Sequence, residues 1–377
     1  MRKTAALILA MMIILTKGTV SNSEKLDKNE LSASSAVVIC ADNGQVLFEK
    51  NAYEKRPMAS TTKIMTSLLA VEAADADDRD VAITNEMVAV EGSSMGLQTG
   101  NVLPISSLAK GMLTVSGNDA ANSTAIALGG SLELFADMMN EKAKIIGMKD
   151  TNFVTPSGLD DKKHYSTAYD MAILGAYALE NKSFFDICSK KKVDILYKEP
   201  NEKRVFYNEN RMLKRYDGCI GIKTGFTKSS GRCLVSGAQK NDLRLVAVTL
   251  NAPDDWSDHE KMLDYGFSAV EAVVLNDSRT ISIPLVGSDY ENVNVTISQP
   301  IKVIVNKNNK NNIQKRVYLP KFVYAPVKSG QILGKMEYTL NGKKIAENPL
   351  VAKNSADYIK SKGKYLSAIK SCINFLK

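Results

Sequence analysis

The sequence predicts an α/β (α+β) domain with a helical cluster packed against an antiparallel sheet, then a small all-β domain and a basic amphipathic C-terminal helix. Three observations point there. Strand-like runs near residues 36–49 and 220–250 enclose a long stretch with helical patterning. Residues 280–350 change texture, with short β-rich runs broken by Asn, Lys, Gly and Pro. Near the end of the chain, apolar residues recur at helical spacing among lysines.

In chain order, Arg2 and Lys3 precede an unbroken apolar run from Ala5 to Leu15, followed by small and polar residues up to Ser23. That is the layout of a signal peptide over residues 1–23, and the run is shorter than the roughly 20 residues a membrane span needs. The protein is therefore expected to be exported. Ala36–Cys40 and Gln45–Glu49 flank Asp42-Asn43-Gly44 and read as a hairpin, because Asn-Gly accepts the positive φ of a tight turn. From Thr62 to Ala74 the chain reads as a helix with apolar residues almost all round, which implies burial at the centre of a domain. Further helices are expected over 105–128, 131–147 and 167–180.

Gly221–Thr224, Cys233–Ser236 and Leu243–Leu250 read as strands. Ser257-Asp-His-Glu260 reads as a capping box opening a helix to about Leu275, which closes a first domain over 30–275 and leaves His259 solvated. The runs Val293–Ile297, Lys302–Val305, Arg316–Leu319 and Met336–Leu340 make 276–352 a small β-rich domain, with 306–312 a polar loop. Over 353–377, Tyr358, Tyr365, Leu366, Ile369, Cys372, Ile373 and Leu376 share a helical face with lysines between them. A helix of that kind lies in a membrane interface; the plainer alternative is a helix docked on the β-domain.

Composition agrees. The 377 residues carry a net charge of +8 and are 44% hydrophobic and 24% charged, which excludes wholesale disorder and a multi-span membrane protein. The charge is unevenly placed: residues 301–377 hold 16 Lys+Arg against 3 Asp+Glu, so the tail is +13 and the first 300 residues are −5. A basic tail on an acidic body points to an anionic surface as partner, and for an exported chain that surface is a membrane and not nucleic acid. Five cysteines, Cys40, Cys188, Cys219, Cys233 and Cys372, are an odd number with no Cys-x-x-Cys spacing, and His164 and His259 are the only histidines. A disulfide framework and a clustered zinc site are both unsupported, and no metal or other cofactor is expected.

Three short motifs carry chemistry. In Ser60-Thr-Thr-Lys63 the serine and lysine are three apart at a helix start and face the same way. A desolvated lysine amine can then activate a serine that is a poor nucleophile alone, although a capped helix with a surface lysine explains the pattern equally well. Ser116-Gly117-Asn118 is a polar turn between apolar segments, and alone it reads as an interhelical loop. Lys223-Thr224-Gly225 ends a strand, with Gly225 permitting close backbone approach; alone it reads as an edge strand with a solvated lysine. Together, S-x-x-K, a Ser-x-Asn turn and K-T-G match the signature of the β-lactamase and penicillin-binding protein group.

With Arg56–Thr66, Ser116–Ala121, Ser157–Asp160, His164–Thr167, Gly221–Thr227 and Gly231–Val235, the chain closely resembles the D-alanyl-D-alanine carboxypeptidases, the low-molecular-mass penicillin-binding proteins. The resemblance spans nearly the whole chain and implies a β-lactamase/transpeptidase-like catalytic domain. It implies Ser60 as acylated nucleophile, Lys63 as its proton acceptor and Ser116 as relay to the leaving group. Asn118, Lys223, Thr224, Gly225 and Phe226 would bind substrate, with the oxyanion between the Ser60 and Phe226 N–H groups. The substrate implied is the D-Ala-D-Ala end of a peptidoglycan stem peptide, with β-lactams as covalent inhibitors, at the outer face of the cytoplasmic membrane or in the wall. Some relatives anchor the substrate carboxylate with an arginine shortly before the final helix; here Pro253–Trp256 has none, leaving Thr224 with Arg232 or Lys228. Where some relatives have histidine, this chain has Phe226. His164 is assigned a structural role, and Cys219 and Cys233 flank the K-T-G strand as either a disulfide or two thiols. The competing functions are a serine β-lactamase and a catalytically silent wall-binding homologue.

Overall fold

A strand whose side chains are apolar on both faces belongs in the middle of a sheet covered on both sides. β1 (Ser35–Cys40) is such a strand, and all six of its residues are buried. In the computed structural model, which describes residues 26–358, it sits second in a five-stranded antiparallel sheet. With β2 (Val46–Lys50), β3 (Cys219–Thr227), β4 (Gly231–Lys240) and β5 (Leu243–Leu250), the order is β2-β1-β5-β4-β3. The two-residue period divides each strand between two cores. Val37, Ile39, Cys233, Val235, Val246 and Val248 face the larger helical cluster, while Val38, Leu234, Leu245 and Ala247 face a helix on the other side. Each such side chain contributes about 1.5–3 kcal/mol on burial, so the layers are fixed mainly by this alternation.

α1 (Lys63–Ala76) contains neither Gly nor Pro and is buried from Lys63 through Leu68, so it runs through the middle of the helical layer as its composition requires. Around it pack α2 (Ile105–Val115), α3 (Asn118–Gly129), α4 (Leu132–Ile146) and α5 (Ala168–Ala178). The single helix expected over 105–128 is broken in two at Ser116-Gly117, where Ser116 takes φ 59°.

The opposite layer departs from expectation. α6 (Asp255–Ala269) begins before the Ser257–Glu260 pattern, with Asp254 at its N-cap, and it stops six residues short of Leu275. That earlier start turns His259, Met262, Leu263 and Gly266 onto one inward face. A Cβ on Gly266 would come within 2.7 Å of Leu245 Cδ1, so the helix lies close on the sheet. His259 is fully buried, with Nε2 3.0 Å from Thr249 Oγ1, and is not solvated. The β-branched run that follows is a strand, β6 (Val270–Leu275), which pairs antiparallel with β9 (Ile301–Asn306) of the region that follows.

That region also contains β7 (Ile281–Val286), β8 (Asn292–Ile297), β10 (Ile313–Tyr318), β11 (Val323–Tyr324), β12 (Ile332–Leu340) and β13 (Lys343–Ala352). They form a six-stranded sheet, β10-β12-β13-β8-β7-β11, around a separate core of Ile283, Val295, Val303, Met336 and Leu350. The 306–312 segment is a short 3₁₀ helix (Lys307–Asn312) and not an irregular loop; it bridges two strands with every side chain unburied. Lys302 reaches Asp42 at 3.2 Å and Lys307 reaches the Phe267 carbonyl at 2.9 Å, tying the β-rich region to the first.

The signal segment at 1–23 lies outside the described residues, as does most of the 353–377 helix. Residues 353–358 are described and are not helical, Ala356 instead bridging to Val327. No described helix is long and apolar enough to cross a membrane.

Candidate active site

The nucleophile candidate sits on a tight turn. Ala59, at φ 48°, leads into a 3₁₀ turn over Ala59–Thr62, which continues directly into α1. Ser60 and Lys63 thus lie one turn apart, Lys63 Nζ 3.0 Å from Ser60 Oγ. The lysine is fully buried, and its other partners are the Asn118 Oδ1 at 2.6 Å and the Ser157 carbonyl at 2.7 Å. Both are acceptors only, so they take two N–H donors. A neutral amine has two, and its lone pair then faces the Ser60 hydroxyl. Burial, followed by the nearby charge of Lys223, holds the Lys63 amine well below the ordinary lysine range, which favours that neutral form.

Ser116 and Asn118 come from the break between α2 and α3. The loop of residues 91–97 clamps that break. The Asn118 N–H donates to the Ser93 carbonyl at 2.7 Å, and Asn118 Nδ2 donates to the Glu91 carbonyl at 2.6 Å. The buried Asp119 carboxylate accepts from the N–H groups of Met95 and Leu97 at 3.0 and 2.9 Å. Asn118 therefore has its carboxamide held at both ends, by Lys63 and by Glu91, with one N–H of Nδ2 left over for a ligand.

β3 is the last strand of its sheet and passes alongside the Ser60 turn. Gly225 makes this possible: a Cβ there would lie 3.0 Å from both the Ser60 and Thr61 nitrogens. Lys223, fully enclosed, donates to the Thr224 carbonyl at 2.9 Å, and burial lowers its ammonium to about 8. Ser60, Ser116, Thr224, Gly225 and Phe226 line one groove of about 660 Å³, with Ser93, Glu209, Arg211, Arg232, Asp255 and Trp256 completing its walls. A hollow of about 740 Å³ between β2 and Tyr265 is larger, but its lining holds no nucleophile–base pair. The structure thus brings all eight sequence-predicted residues together: five on the groove, with Lys63, Asn118 and Lys223 directly beneath it.

A serine held against a buried amine, a clamped Ser-x-Asn turn and an edge strand bearing Lys-Thr-Gly define a group of proteins more narrowly than the fold does. Residues 20–254 match the family model of D-alanyl-D-alanine carboxypeptidases, and residues 273–358 match that of the C-terminal domain of penicillin-binding protein 5. The chain belongs to the D-alanyl-D-alanine carboxypeptidase family. It is 35% identical to the D-alanyl-D-alanine carboxypeptidase DacF of Bacillus subtilis over 85% of each chain. Identity to DacC of Escherichia coli is 30%, covering 92% of this chain and 90% of that one. Penicillin-binding protein 5 from Haemophilus influenzae superposes with a TM-score of 0.69 at 28% identity, covering 88% of this chain and all of that one. As a family member the protein is a serine peptidase of penicillin-binding type, of the class that works through a serine acyl-enzyme and that β-lactams block.

Within this site, His164 packs behind the Ser60 turn. Its Nδ1 accepts from the Val154 N–H at 2.9 Å, so Nε2 carries the proton and donates to Thr62 Oγ1 at 2.8 Å. That is a structural role. Burial depresses His164 to about 4 and His259 to about 3, against 6.5 for an exposed histidine. Below pH 6.5 the unfolded chain binds protons that the folded chain refuses, so stability falls as the pH drops towards 4 and then 3. His164 accounts for roughly 3 kcal/mol of that loss and His259 for roughly 5 kcal/mol. The melting temperature is expected to fall steeply over this window, with a shallower slope in His164→Gln. An unchanged slope would remove His164 from the explanation.

Sequence reasoning missed several partners. The Ser157 and Glu91 carbonyls are main-chain acceptors with no side-chain signature, and Glu209 and Arg211 reach the groove from a loop without a motif. Gly158, beside Ser157, has φ 84°, and a Cβ there would sit 1.9 Å from the Ala59 carbonyl oxygen. Gly158→Ala is therefore expected to lose about 3 kcal/mol or more and to slow penicillin acylation by displacing the Ser60 turn. Thermal melts and intact-mass acylation kinetics check both; near-normal values would show that the turn can give way. Cys219 and Cys233 are free thiols set opposite Ala238 and Gly225, at different heights of the β3–β4 ladder, so they do not pair.

Proposed function

We propose that the protein removes the terminal D-alanine from peptidoglycan stem peptides through an acyl-enzyme on Ser60. The observation that carries this is the Lys63 amine, whose two carbonyl partners leave its lone pair to the Ser60 hydroxyl. In this mechanism Ser60 Oγ attacks the carbonyl of the penultimate D-alanine while Lys63 takes its proton. The developing oxyanion is met by the N–H groups of Ser60 and Phe226. Ser116 passes a proton to the departing D-alanine nitrogen, with the Lys223 charge nearby, and water then hydrolyses the ester. Thr224 and Gly225 line the path of the substrate backbone, and the free N–H of Asn118 holds its amide.

The basic tail and the apolar run at the N-terminus support action at the outer face of the cytoplasmic membrane, the C-terminal segment resting on anionic lipid. The test is D-alanine release from diacyl-L-Lys-D-Ala-D-Ala, with penicillin adducts followed in parallel by intact mass. Release together with a long-lived adduct supports the proposal. Fast penicillin turnover without release would make the protein a β-lactamase, and absence of both would make it a silent binder.

A further inference from the structure

We infer that Arg232 is the residue that grips the terminal carboxylate of the substrate, and that Asp255 and Trp256 hold it in position. The inference rests on the carboxypeptidase reading, which requires a free carboxylate one residue beyond the scissile bond. Two cations line the groove, Arg211 and Arg232. Lys63 and Lys223 lie beneath it, with amines engaged by protein carbonyls.

Register favours Arg232. It stands directly opposite Phe226 in the β3–β4 ladder, so its side chain leaves the sheet on the same face as Phe226 and Thr224. It is also held from behind. Its Nε donates to Asp255 Oδ1 at 2.9 Å, and its guanidinium lies over the Trp256 ring, 5.6 Å from the centroid. Pinned through Nε, the guanidinium keeps its two Nη groups as a fork that matches the two oxygens of a carboxylate. The pair is also asymmetric: the Asp255 side chain is 3% exposed while that of Arg232 is 41% exposed towards the groove. A contact made only to neutralise a buried aspartate would not need the arginine to face the same cavity as Ser60. Arg211, at the head of the short helix Met212–Arg215, is exposed, lies outside the β3–β4 ladder and has no side-chain hydrogen bond or ion pair among the described residues to aim it. The Pro253–Trp256 segment, which carries no arginine, thus supplies the two groups that aim one from the neighbouring strand.

The test compares kcat/KM for diacyl-L-Lys-D-Ala-D-Ala with that for its C-terminal carboxamide, because a general loss of activity cancels in the ratio. Wild type is expected to favour the free acid. Arg232→Gln should reduce that preference about 10- to 100-fold, Arg232→Lys should restore only part of it, and Asp255→Asn should lower it less than Arg232→Gln does. Retention of the wild-type preference in Arg232→Gln overturns the assignment, as does its collapse in Arg211→Gln alone. Failure of the carboxypeptidase reading shows separately, as wild type releasing no D-alanine from the free acid, and the assignment falls with it.

Discussion

Ser60→Ala is expected to cut D-alanine release by about 10⁴-fold or more and to abolish the mass increase on exposure to penicillin. The size follows from the role. In the proposed mechanism every later step acts on an ester that this oxygen forms, and alanine leaves Lys63 with nothing to deprotonate. The fold should survive, because the hydroxyl of the half-buried Ser60 contributes one hydrogen bond, to an amine that keeps two other partners. Melting curves that overlay the wild type would separate loss of chemistry from loss of structure. Release above about one per cent of wild type would mean that another group carries the acyl chain.

Lys63→Met should slow acylation by about 10³-fold, the usual scale for a general base. It should also cost stability, since the Asn118 Oδ1 and the Ser157 carbonyl lose a buried donor at about 1–3 kcal/mol each. The wild-type rate profile carries the same information without a substitution. Activity should rise with pH as Lys63 loses its proton, and fall above about 8 as Lys223 loses the charge that its site requires. The signs are distinct because, in the proposed mechanism, one lysine works neutral and the other charged. Lys223→Arg should move the alkaline limb to much higher pH, since a guanidinium stays protonated throughout. A limb that remains at 8 would belong to some other group.

The parts of the site legible in the sequence are those whose function depends on residues close together in the chain. Ser60 and Lys63 face alike on any helix start, and Ser116 and Asn118 share one turn, so spacing alone places each pair. The larger helical layer was legible for a similar reason: α1 is apolar almost all round, and only the centre of a domain accommodates that. What escaped depends on tertiary approach. Asn118 is fixed by the Glu91 and Ser93 carbonyls, which any residue would supply. His259 reads as solvated in the sequence because Ser257–Glu260 imitates a helix start one turn inside the real one. β6 reads as helix in the sequence because its periodicity is ambiguous over six residues, and its partner β9 lies 26 residues further on.

β3 ends its sheet with one side unpaired, and Ser60 stands beside that side. A bare strand edge is a template: it will bind extended backbone of suitable shape, including another protein chain. Blunting it with a proline or a bulge would close the catalytic groove, so protection has to come from what surrounds it. The α2–α3 turn, through Ser116, and the Ser60 turn border the groove along that edge. Recognition through backbone also leaves little for side chains to say. On the proposed reading, residues upstream in a stem peptide can vary at low cost, and selectivity concentrates at the last two positions, where chirality and a free terminus can be sensed.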